Sequence, residues 1–258
     1  MSRRPLSAVV IACNEAGRLR TCLESLDFAD EILVVDSGSS DSTVALAETL
    51  GARVIHREWL GYGAQKEFAV MQAAHEWVLC VDADEWVSDP LRRSIEAVLA
   101  DPGADAYRMR RRNRFMGRWL RHGEGYPDWS LRLFDRRHAG WSDDPVHEKV
   151  VARGAVGDLE GDLMHTSEDG LAHYLAKQNR YTTLQAESLH RKGRRTGALQ
   201  LVASPVLRFV KFYILRRGFL DGVPGLVHVA IGCFNSFCKY AKLREMQQSG
   251  AGKGRERP

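Results

Sequence analysis

The first hundred residues alternate short, β-branched apolar runs with segments of helical periodicity, and this alternation restricts the fold more than any other feature of the chain. Repeated strand–helix–strand units form a parallel sheet with right-handed crossovers. The pattern therefore predicts an α/β, doubly wound fold. The predicted strands are residues 8–12, 31–36, 53–56 and 77–82, and the predicted helices are residues 15–29, 41–50 (capped by Ser39 or Ser40) and 63–75.

The pattern changes after Asp101-Pro102-Gly103. Shorter strands are predicted at 106–111, 130–134 and 146–151, which indicates an irregular, partly antiparallel extension of the same sheet. From residue 168 onward the periodicity is helical, and the polar end of the chain is typical of disorder. We therefore expect a domain at 1–167, a helical region at 168–248 and a disordered tail at 249–258.

Composition favours a soluble, cytosolic protein. The 258 residues are 44% hydrophobic and 27% charged, which suits one large domain with a helical tail. The five cysteines form no CxxC pair, so we interpret them as reduced thiols. The first apolar stretch is interrupted at once by Asn14 and Glu15, so we expect no signal peptide.

Polar and acidic residues follow three of the predicted strands. Asn14 and Glu15 follow the first strand, Asp36 ends the second, and Asp82 and Asp84 stand at the end of the fourth. Ligands of an open parallel sheet bind beyond the carboxyl ends of its strands. A single aspartate there is often only a helix cap, but three such ends together predict a ligand site.

Asp82 and Asp84 form an Asp-x-Asp pair behind a buried strand. Mg²⁺ or Mn²⁺ is normally held by one or two carboxylates together with substrate phosphates. We therefore expect a bound Mg²⁺ or Mn²⁺ at this pair.

Three segments, in this order, resemble the family 2 glycosyltransferases, which have the GT-A nucleotide-sugar-binding fold. They are Val-Val-Ile-Ala-Cys-Asn-Glu, Val-Val-Asp-Ser-Gly-Ser-Ser-Asp-Ser-Thr and Val-Asp-Ala-Asp-Glu, and they cover the first hundred residues. Segments 61–66, 127–134, 146–148 and 163–165 further resemble bacterial β-1,4-glucosyltransferases of the lipopolysaccharide inner core. The resemblance implies a mainly parallel central sheet flanked by helices, with the nucleotide bound by residues 5–100 and the acceptor by residues 101–167.

The resemblance also implies roles for the acidic strand ends. Asn14 and Glu15 would line the nucleotide pocket, and Asp36 would hydrogen-bond the base. Asp82 would reach the ribose or the metal, while Asp84 would ligate the metal.

Three further residues receive roles from the same resemblance. Lys66 and Arg132 are candidates for contacts with the donor diphosphate; an exposed helix lysine and a strand arginine are the alternative interpretations. His165 is a candidate for completing the metal shell, although a lone histidine is more often a packed or capping residue.

The reaction implied by the family is inverting transfer of a hexose, with glucose as the expected sugar. Such a reaction needs a base near the attacking acceptor hydroxyl. Asp128, Asp144 and Glu148 are available in the predicted acceptor side. We expect Glu148, which follows a proline turn and precedes a strand, with Asp128 second. The family usually places this base in an acidic motif, whereas here a His-Glu pair occupies the position.

The last third of the chain favours a membrane surface. The helical segments 199–215 and 226–243 are apolar, but Arg208 and Lys211 interrupt the first and Lys239 the second. We expect both to lie on a membrane without crossing it, attracted by their basic residues to anionic lipid; two helices packed on the catalytic domain are the alternative. The arginine-rich segment 108–121 would steer acceptor phosphates.

The expected partners are therefore a nucleotide-sugar donor, a phosphorylated glycolipid acceptor and the inner face of the plasma membrane. A UDP-sugar is the expected donor, with ADP-heptose as the alternative. A nucleotidyltransferase would carry a glycine-rich loop after the first strand, which Cys13-Asn14-Glu15 does not provide. No nucleic-acid-binding motif is present. A transferase for another envelope glycan and an inactive nucleotide-binding membrane scaffold remain open.

Overall fold

The computed structural model describes residues 3–142, 148–166 and 170–252, the last three by backbone alone. The chain divides into two compact units. The first contains Met1–Arg112 and Asp128–Thr166, and the second contains Asn113–Pro127 and Ser167–Pro258.

The strands and helices follow one another along the chain as two interleaved series. The strands are β1 (Leu6–Ala12), β2 (Glu31–Asp36), β3 (Arg53–His56), β4 (Trp77–Asp82), β5 (Glu85–Val87), β6 (Ala106–Phe115), β7 (Arg118–Trp119), β8 (Asp128–Asp135), β9 (Ala139–Trp141), β10 (Val150–Ala152) and β11 (Val156–Thr166). The helices are α1 (Ala16–Glu24), α2 (Thr43–Thr49), α3 (Tyr62–Gln72), α4 (Asp89–Ala100), α5 (Leu171–Arg191), α6 (Ala198–Phe209) and α7 (Gly222–Gly252).

The main sheet is mixed, with strand order β3-β2-β1-β4-β8-β6-β11-β5, and β7 pairs with β6. The first four strands in this order are parallel, and β8 continues the sheet antiparallel to β4 and β6. In register, Ala12 is opposite Asp36 and Ile11 is opposite Asp82, so the polar ends of β1, β2 and β4 lie at one edge of the sheet. The predicted parallel sheet with a partly antiparallel extension is confirmed.

The residues of β1 alternate between two hydrophobic cores, as expected for a strand covered on both faces. Ala8 and Val10 pack in the core that contains the buried residues of α1 and α4. Val9 packs in the opposite core, with Ala69 and Val70 of α3. This two-sided burial fixes the strand ends, and hence the site, on a rigid support.

Several predicted boundaries were wrong. Neither Ser39 nor Ser40 caps α2; the helix begins at Thr43, whose backbone N–H donates to Asp41 (2.9 Å), because the two serines belong to the loop that wraps around Asp36. Helix α7 continues to Gly252, beyond the expected start of the tail, and 253–258 lie outside the described residues.

In the described part of the second unit, α7 packs against both α5 and α6. On one side of α7, Asn235 Nδ2 donates to Gln178 Oε1 of α5 (2.8 Å). On the other side, the hydroxyls of Ser236 and Ser204 of α6 are 2.6 Å apart. A π-helical turn, Val210–Leu215, continues α6. By length and composition the resulting segment Ala198–Leu215, of mean hydropathy 1.4, also meets the criteria for a membrane-crossing helix.

Candidate active site

Asp82, the last residue of β4, lies between two cations of the first unit. Lys66 Nζ of α3 is 2.8 Å from Asp82 Oδ1, and Arg132 Nη2 of β8 is 2.7 Å from Asp82 Oδ2. Burial would raise the pKa of Asp82, but the charges of Arg132 and Lys66 outweigh it and hold that pKa far below its usual range. The structure thus brings together three of the predicted site residues.

Glu85 extends this cluster into the interior. Its side chain is fully buried, and Oε1 accepts hydrogen bonds from Arg132 Nη2 (3.0 Å) and Arg111 Nη1 (3.2 Å). Its other oxygen accepts the backbone N–H of Asp82 (3.0 Å). Arg111 also donates to Asp128 Oδ2 from Nη2 (2.7 Å) and Nε (2.9 Å). Together with Lys66 of α3, these side chains form one charge network that joins β4, β5, β6 and β8.

The Arg132 guanidinium has one nitrogen without a hydrogen-bond partner in the described part of the chain. Its side chain is 6% exposed, and Nη1 is buried with no hydrogen-bond partner among the described residues. The network of Asp82 and Glu85 favours the charged form and raises the pKa of Arg132 despite its burial. A buried guanidinium N–H without a partner costs free energy unless a ligand accepts from it.

Asp84 pairs with His165 at the end of β11, where Oδ2 and Nε2 are 3.2 Å apart. Burial opposes ionisation of Asp84, but the hydrogen bond and charge of His165 outweigh it and lower the pKa of Asp84. The register of β11 against β5 brings His165 opposite Glu85, one residue from Asp84. Pairing of these two strands therefore joins two residues that are eighty-one positions apart.

Asn14 and Glu15 lie in the loop after β1, and Asp36 is the last residue of β2. Asn14, at φ 57°, accepts the backbone N–H of Ser40 (2.8 Å), and the backbone N–H of Glu15 donates to Thr43 Oγ1 (2.8 Å). Asp36 is almost fully buried and accepts from the backbone N–H groups of Gly38 (2.9 Å) and Ser39 (3.0 Å) and from the Ser39 hydroxyl. These interactions make Asp36 the anchor of its own loop.

The two predicted bases have different surroundings. Asp128 is held by Arg111, as described above, whereas no hydrogen bond or ion pair within the described part of the chain engages the half-buried carboxylate of Glu148. Ser142 O and Glu148 Cβ lie so close to α3 that a Cβ at Gly63 would be 3.0 Å and 3.2 Å from them. The third candidate, Asp144, and the neighbouring His147 lie outside the described residues.

Trp141 is a site residue that sequence reasoning missed. Lys66 Nζ lies 4.8 Å from the Trp141 ring centroid, and the Arg132 guanidinium carbon lies 5.7 Å from it. The indole Nε1 donates to Cys80 Sγ (3.4 Å), a thiol whose pKa is raised to about 12, chiefly by burial. The ring orients both cations by cation–π attraction. No local sequence signal marks it, because the contact depends on β9 folding over α3.

The arginines of 108–121 that lie in the first unit are already paired with carboxylates. Arg108 pairs with Asp158 (2.6 Å), and both Arg110 (3.7 Å) and Arg112 (2.6 Å) pair with Asp162. With Arg111 bound to Glu85 and Asp128, these side chains stabilise the sheet internally. The role of segment 108–121 in steering acceptor phosphates stays a prediction.

The fold is that of the GT-A glycosyltransferases. The mannosyltransferase PcManGT of Pyrobaculum calidifontis, solved with GDP-Man and Mn²⁺, aligns with a TM-score of 0.53 at 17% identity, over 96% of this chain and 87% of that one.

The chain belongs to glycosyl transferase family 2, whose sequence model matches residues 7–158. It is 32% identical to the lipopolysaccharide core biosynthesis glycosyltransferase LpsC of Rhizobium meliloti, over 93% of this chain and 92% of that protein. It is also 32% identical to a protein of Rickettsia typhi described as an uncharacterized glycosyltransferase, over 94% of this chain and 88% of that protein. The suspected family is thereby confirmed.

Proposed function

We propose that this family 2 glycosyltransferase transfers a hexose, with glucose as the expected sugar, from a nucleotide-sugar donor to a lipid-linked acceptor of the lipopolysaccharide core, with inversion and with a divalent metal. The observation that carries the proposal is the pair of cations on Asp82, of which Arg132 has a buried nitrogen, Nη1, that no described residue engages in a hydrogen bond. The names of LpsC and PcManGT support the acceptor class and the donor class, respectively.

The diphosphate of the donor fits the cations at the end of β4. Lys66 and Arg132 converge on one carboxylate, so their donors are held in place before a ligand arrives. A phosphate oxygen would satisfy Arg132 Nη1 and share Lys66 with Asp82. Preorganised cations of this kind stabilise the charge that develops on a leaving nucleoside diphosphate. Asp82 then acts mainly to orient the two cations.

Asp84 and His165 fit a divalent metal. A carboxylate oxygen and an imidazole nitrogen 3.2 Å apart can face the same ion. Within the described residues, no group of three or more histidines, cysteines or acids is arranged to hold a metal. Mg²⁺ and Mn²⁺ commonly take their remaining ligands from substrate phosphates and water, so this small donor set suits them. When bound, such a metal neutralises charge on the leaving diphosphate.

Glu148 is the better base of the two described candidates. Asp128 accepts two charge-assisted hydrogen bonds from Arg111, which stabilise its ionised form and weaken it as a proton acceptor. Glu148 has no such competition in the described part of the chain. It would accept the proton of the acceptor hydroxyl as that oxygen attacks the anomeric carbon and the bond to the diphosphate breaks.

Calorimetric titration with UDP, GDP and ADP, with and without Mn²⁺, tests the donor site. We expect one nucleotide, UDP, to bind in a metal-dependent way, and Asp84→Asn to abolish the metal dependence. Asp158→Asn is the matched control, because that exposed aspartate pairs only with Arg108 in the described contacts. Absence of binding by all three nucleotides would contradict the transferase proposal.

Steady-state kinetics with a lipopolysaccharide-core acceptor tests the base. General bases contribute about 10²–10⁴-fold to rate, so Glu148→Gln should lower kcat by that range with little change in the donor KM. Asp128→Asn should lower kcat by less than about tenfold, since its main partner is Arg111. A larger loss of kcat for Asp128→Asn than for Glu148→Gln would make Asp128 the base. Metal-dependent nucleotide binding without turnover of any envelope acceptor would support the scaffold alternative.

A further inference from the structure

The chain carries a long segment without acidic residues in its second unit. Between Glu187 and Asp221 there is no aspartate or glutamate, while eight basic residues are present. They are Arg191, Lys192, Arg194, Arg195, Arg208, Lys211, Arg216 and Arg217. The segment includes all of α6 and its π-helical continuation. Its charge is therefore complementary to an anionic surface.

The same segment exposes a continuous apolar face. No residue of α6 or of the π-helical turn is buried. The stripe at helical spacing consists of Leu199, Val202, Val206 and Val210, with Leu207 and Leu215 beside it. Leu199 is 81% exposed and Leu215 is 72% exposed. Apolar surface of this extent on a helix marks a partner surface.

The arginine within this apolar face is turned inward. Arg208 donates from Nε to Glu124 Oε2 (3.0 Å), and its Nη2 pairs with the other oxygen of Glu124. Its guanidinium carbon lies 5.5 Å from the Phe212 ring centroid. Pairing with Glu124 neutralises the charge of Arg208, so Lys211 is the one basic residue of 198–215 without a carboxylate partner among the described contacts.

The packing of α6 determines how this face can meet a bilayer. Ser204 faces Ser236, and Arg208 approaches Gly232, so α6 and α7 run antiparallel side by side. On its other side α7 is bonded to α5, which carries Lys177, Arg180 and Glu187 among its charges. A crossing α6 would pull α7 and these charges toward the bilayer centre. Each such charge costs about 2.5–3.5 kcal/mol there.

The basic residues at both ends of the apolar face favour an α6 that lies flat on the bilayer. Arg194 and Arg195 precede α6, and Arg216 and Arg217 follow the π-helical turn, where α6 turns toward α7. Insertion of this helical hairpin tip-first would bury the second pair in hydrocarbon. A flat orientation keeps both pairs at the depth of the lipid headgroups.

We propose that residues 191–217 form an in-plane binding face for an anionic lipid bilayer, with the apolar stripe of α6 in the interface and the two arginine pairs on the headgroups. This deepens the proposed function, whose acceptor is lipid-linked, but it does not depend on sugar transfer. A second copy of the chain is a poorer occupant, because two such faces would bring like charges together.

Sedimentation of the full-length protein with vesicles tests the face. Binding should be strong on vesicles that contain phosphatidylglycerol, weak on phosphatidylcholine alone, and reduced by added salt. Alkaline carbonate should release the bound protein, because a flat helix does not span. Binding that is equal on both lipids, or resistance to carbonate, would overturn the proposal.

Two double variants separate the basic and the apolar contributions. Arg194→Gln with Arg195→Gln should lower the partition coefficient about 30-fold, the equivalent of about 1 kcal/mol for each basic residue at an anionic surface. The matched control is Arg20→Gln with Arg93→Gln, a pair of exposed arginines in the first unit, which should leave binding unchanged.

Leu207→Gln with Leu215→Gln should lower the partition coefficient more than about a hundredfold, because burial of each leucine is worth at least about 1.5 kcal/mol. Met71→Gln, which alters a side chain as exposed as Leu207 at 67%, is its control. A lipid-free dimer that the leucine variant dissociates would make a second copy the occupant. Nucleotide titration of both double variants should match the wild type, so loss of vesicle binding is distinguishable from failure of the donor site.

Discussion

Replacement of Glu85 by glutamine should destabilise the protein far more than a conservative change normally does. Glu85 is fully buried, and its two oxygens accept hydrogen bonds from Arg132, Arg111 and the backbone N–H of Asp82. Glutamine has nearly the same shape, but it replaces one charged acceptor oxygen with an N–H₂ donor. Whichever way the amide turns, at least one of these donors would lose its acceptor on this side chain.

The charge balance of the network gives the magnitude. Three cations and three carboxylates share the cluster, each joined to another by a contact of 3.2 Å or less. They are Lys66, Arg111, Arg132, Asp82, Glu85 and Asp128. Glu85→Gln would leave one positive charge uncompensated in the interior. Removal of one partner from a buried ion pair costs about 3–5 kcal/mol, so we expect a loss of that size.

Urea denaturation, followed by circular dichroism, measures this loss, and a double-mutant cycle with Arg111→Gln tests its cause. The second change restores the charge balance, so the double variant should be more stable than the sum of the single effects predicts, by at least about 1 kcal/mol. Glu76→Gln is the control: its pair with Arg137 is half exposed and should cost less than about 1 kcal/mol. A loss below about 1 kcal/mol for Glu85→Gln, or strict additivity in the cycle, would refute the reasoning.

Three further predictions concern pH, backbone conformation and thiol reactivity. Burial opposes ionisation of Glu31, but hydrogen bonds from neighbouring groups outweigh it and lower the pKa of Glu31. The contribution of Glu31 to folding stability is therefore present above the ordinary glutamate pKa and is lost as the pH falls through the lower folded value. The stability difference between the wild type and Glu31→Gln, measured by urea titration, should disappear in acid. Gly161 has φ +90°, and a Cβ there would lie 2.7 Å from Leu91 Cα. Gly161→Ala should therefore lower the free energy of unfolding by about 2 kcal/mol or more. An unchanged urea midpoint would contradict the observed packing of β11 on α4. Exposed Cys13 should react with iodoacetamide in the native protein at neutral pH, whereas Cys80, whose pKa is raised to about 12, should react only after unfolding. Peptide mass spectrometry would identify the labelled thiols, and rapid labelling of Cys80 in the native protein would exclude its burial under Trp141.

Periodicity predicted the parallel half of the fold because its strands are buried on both faces and read as continuous apolar runs. Three of the four predicted strands, β2, β3 and β4, have the predicted bounds, and β1 begins at Leu6, ahead of its predicted start. The extension was harder to predict, since its long strands β6 and β11 contain charged residues at most exposed positions. Helix α4, with its buried Leu91, Ile95 and Leu99, went unpredicted although its apolar spacing was available in the sequence.

The sequence by itself determined that the acidic ends of three strands lie at one edge of a sheet, because parallel strands present all their carboxyl ends on the same side. The sequence also determined the family, since the three segments that contain those strand ends occur in the order typical of family 2 glycosyltransferases. Which groups touch there was decided by tertiary structure alone. Arg132 on Asp82, His165 on Asp84 and Trp141 over Lys66 depend on strand pairings between distant segments, and no local pattern encodes the register of those pairings.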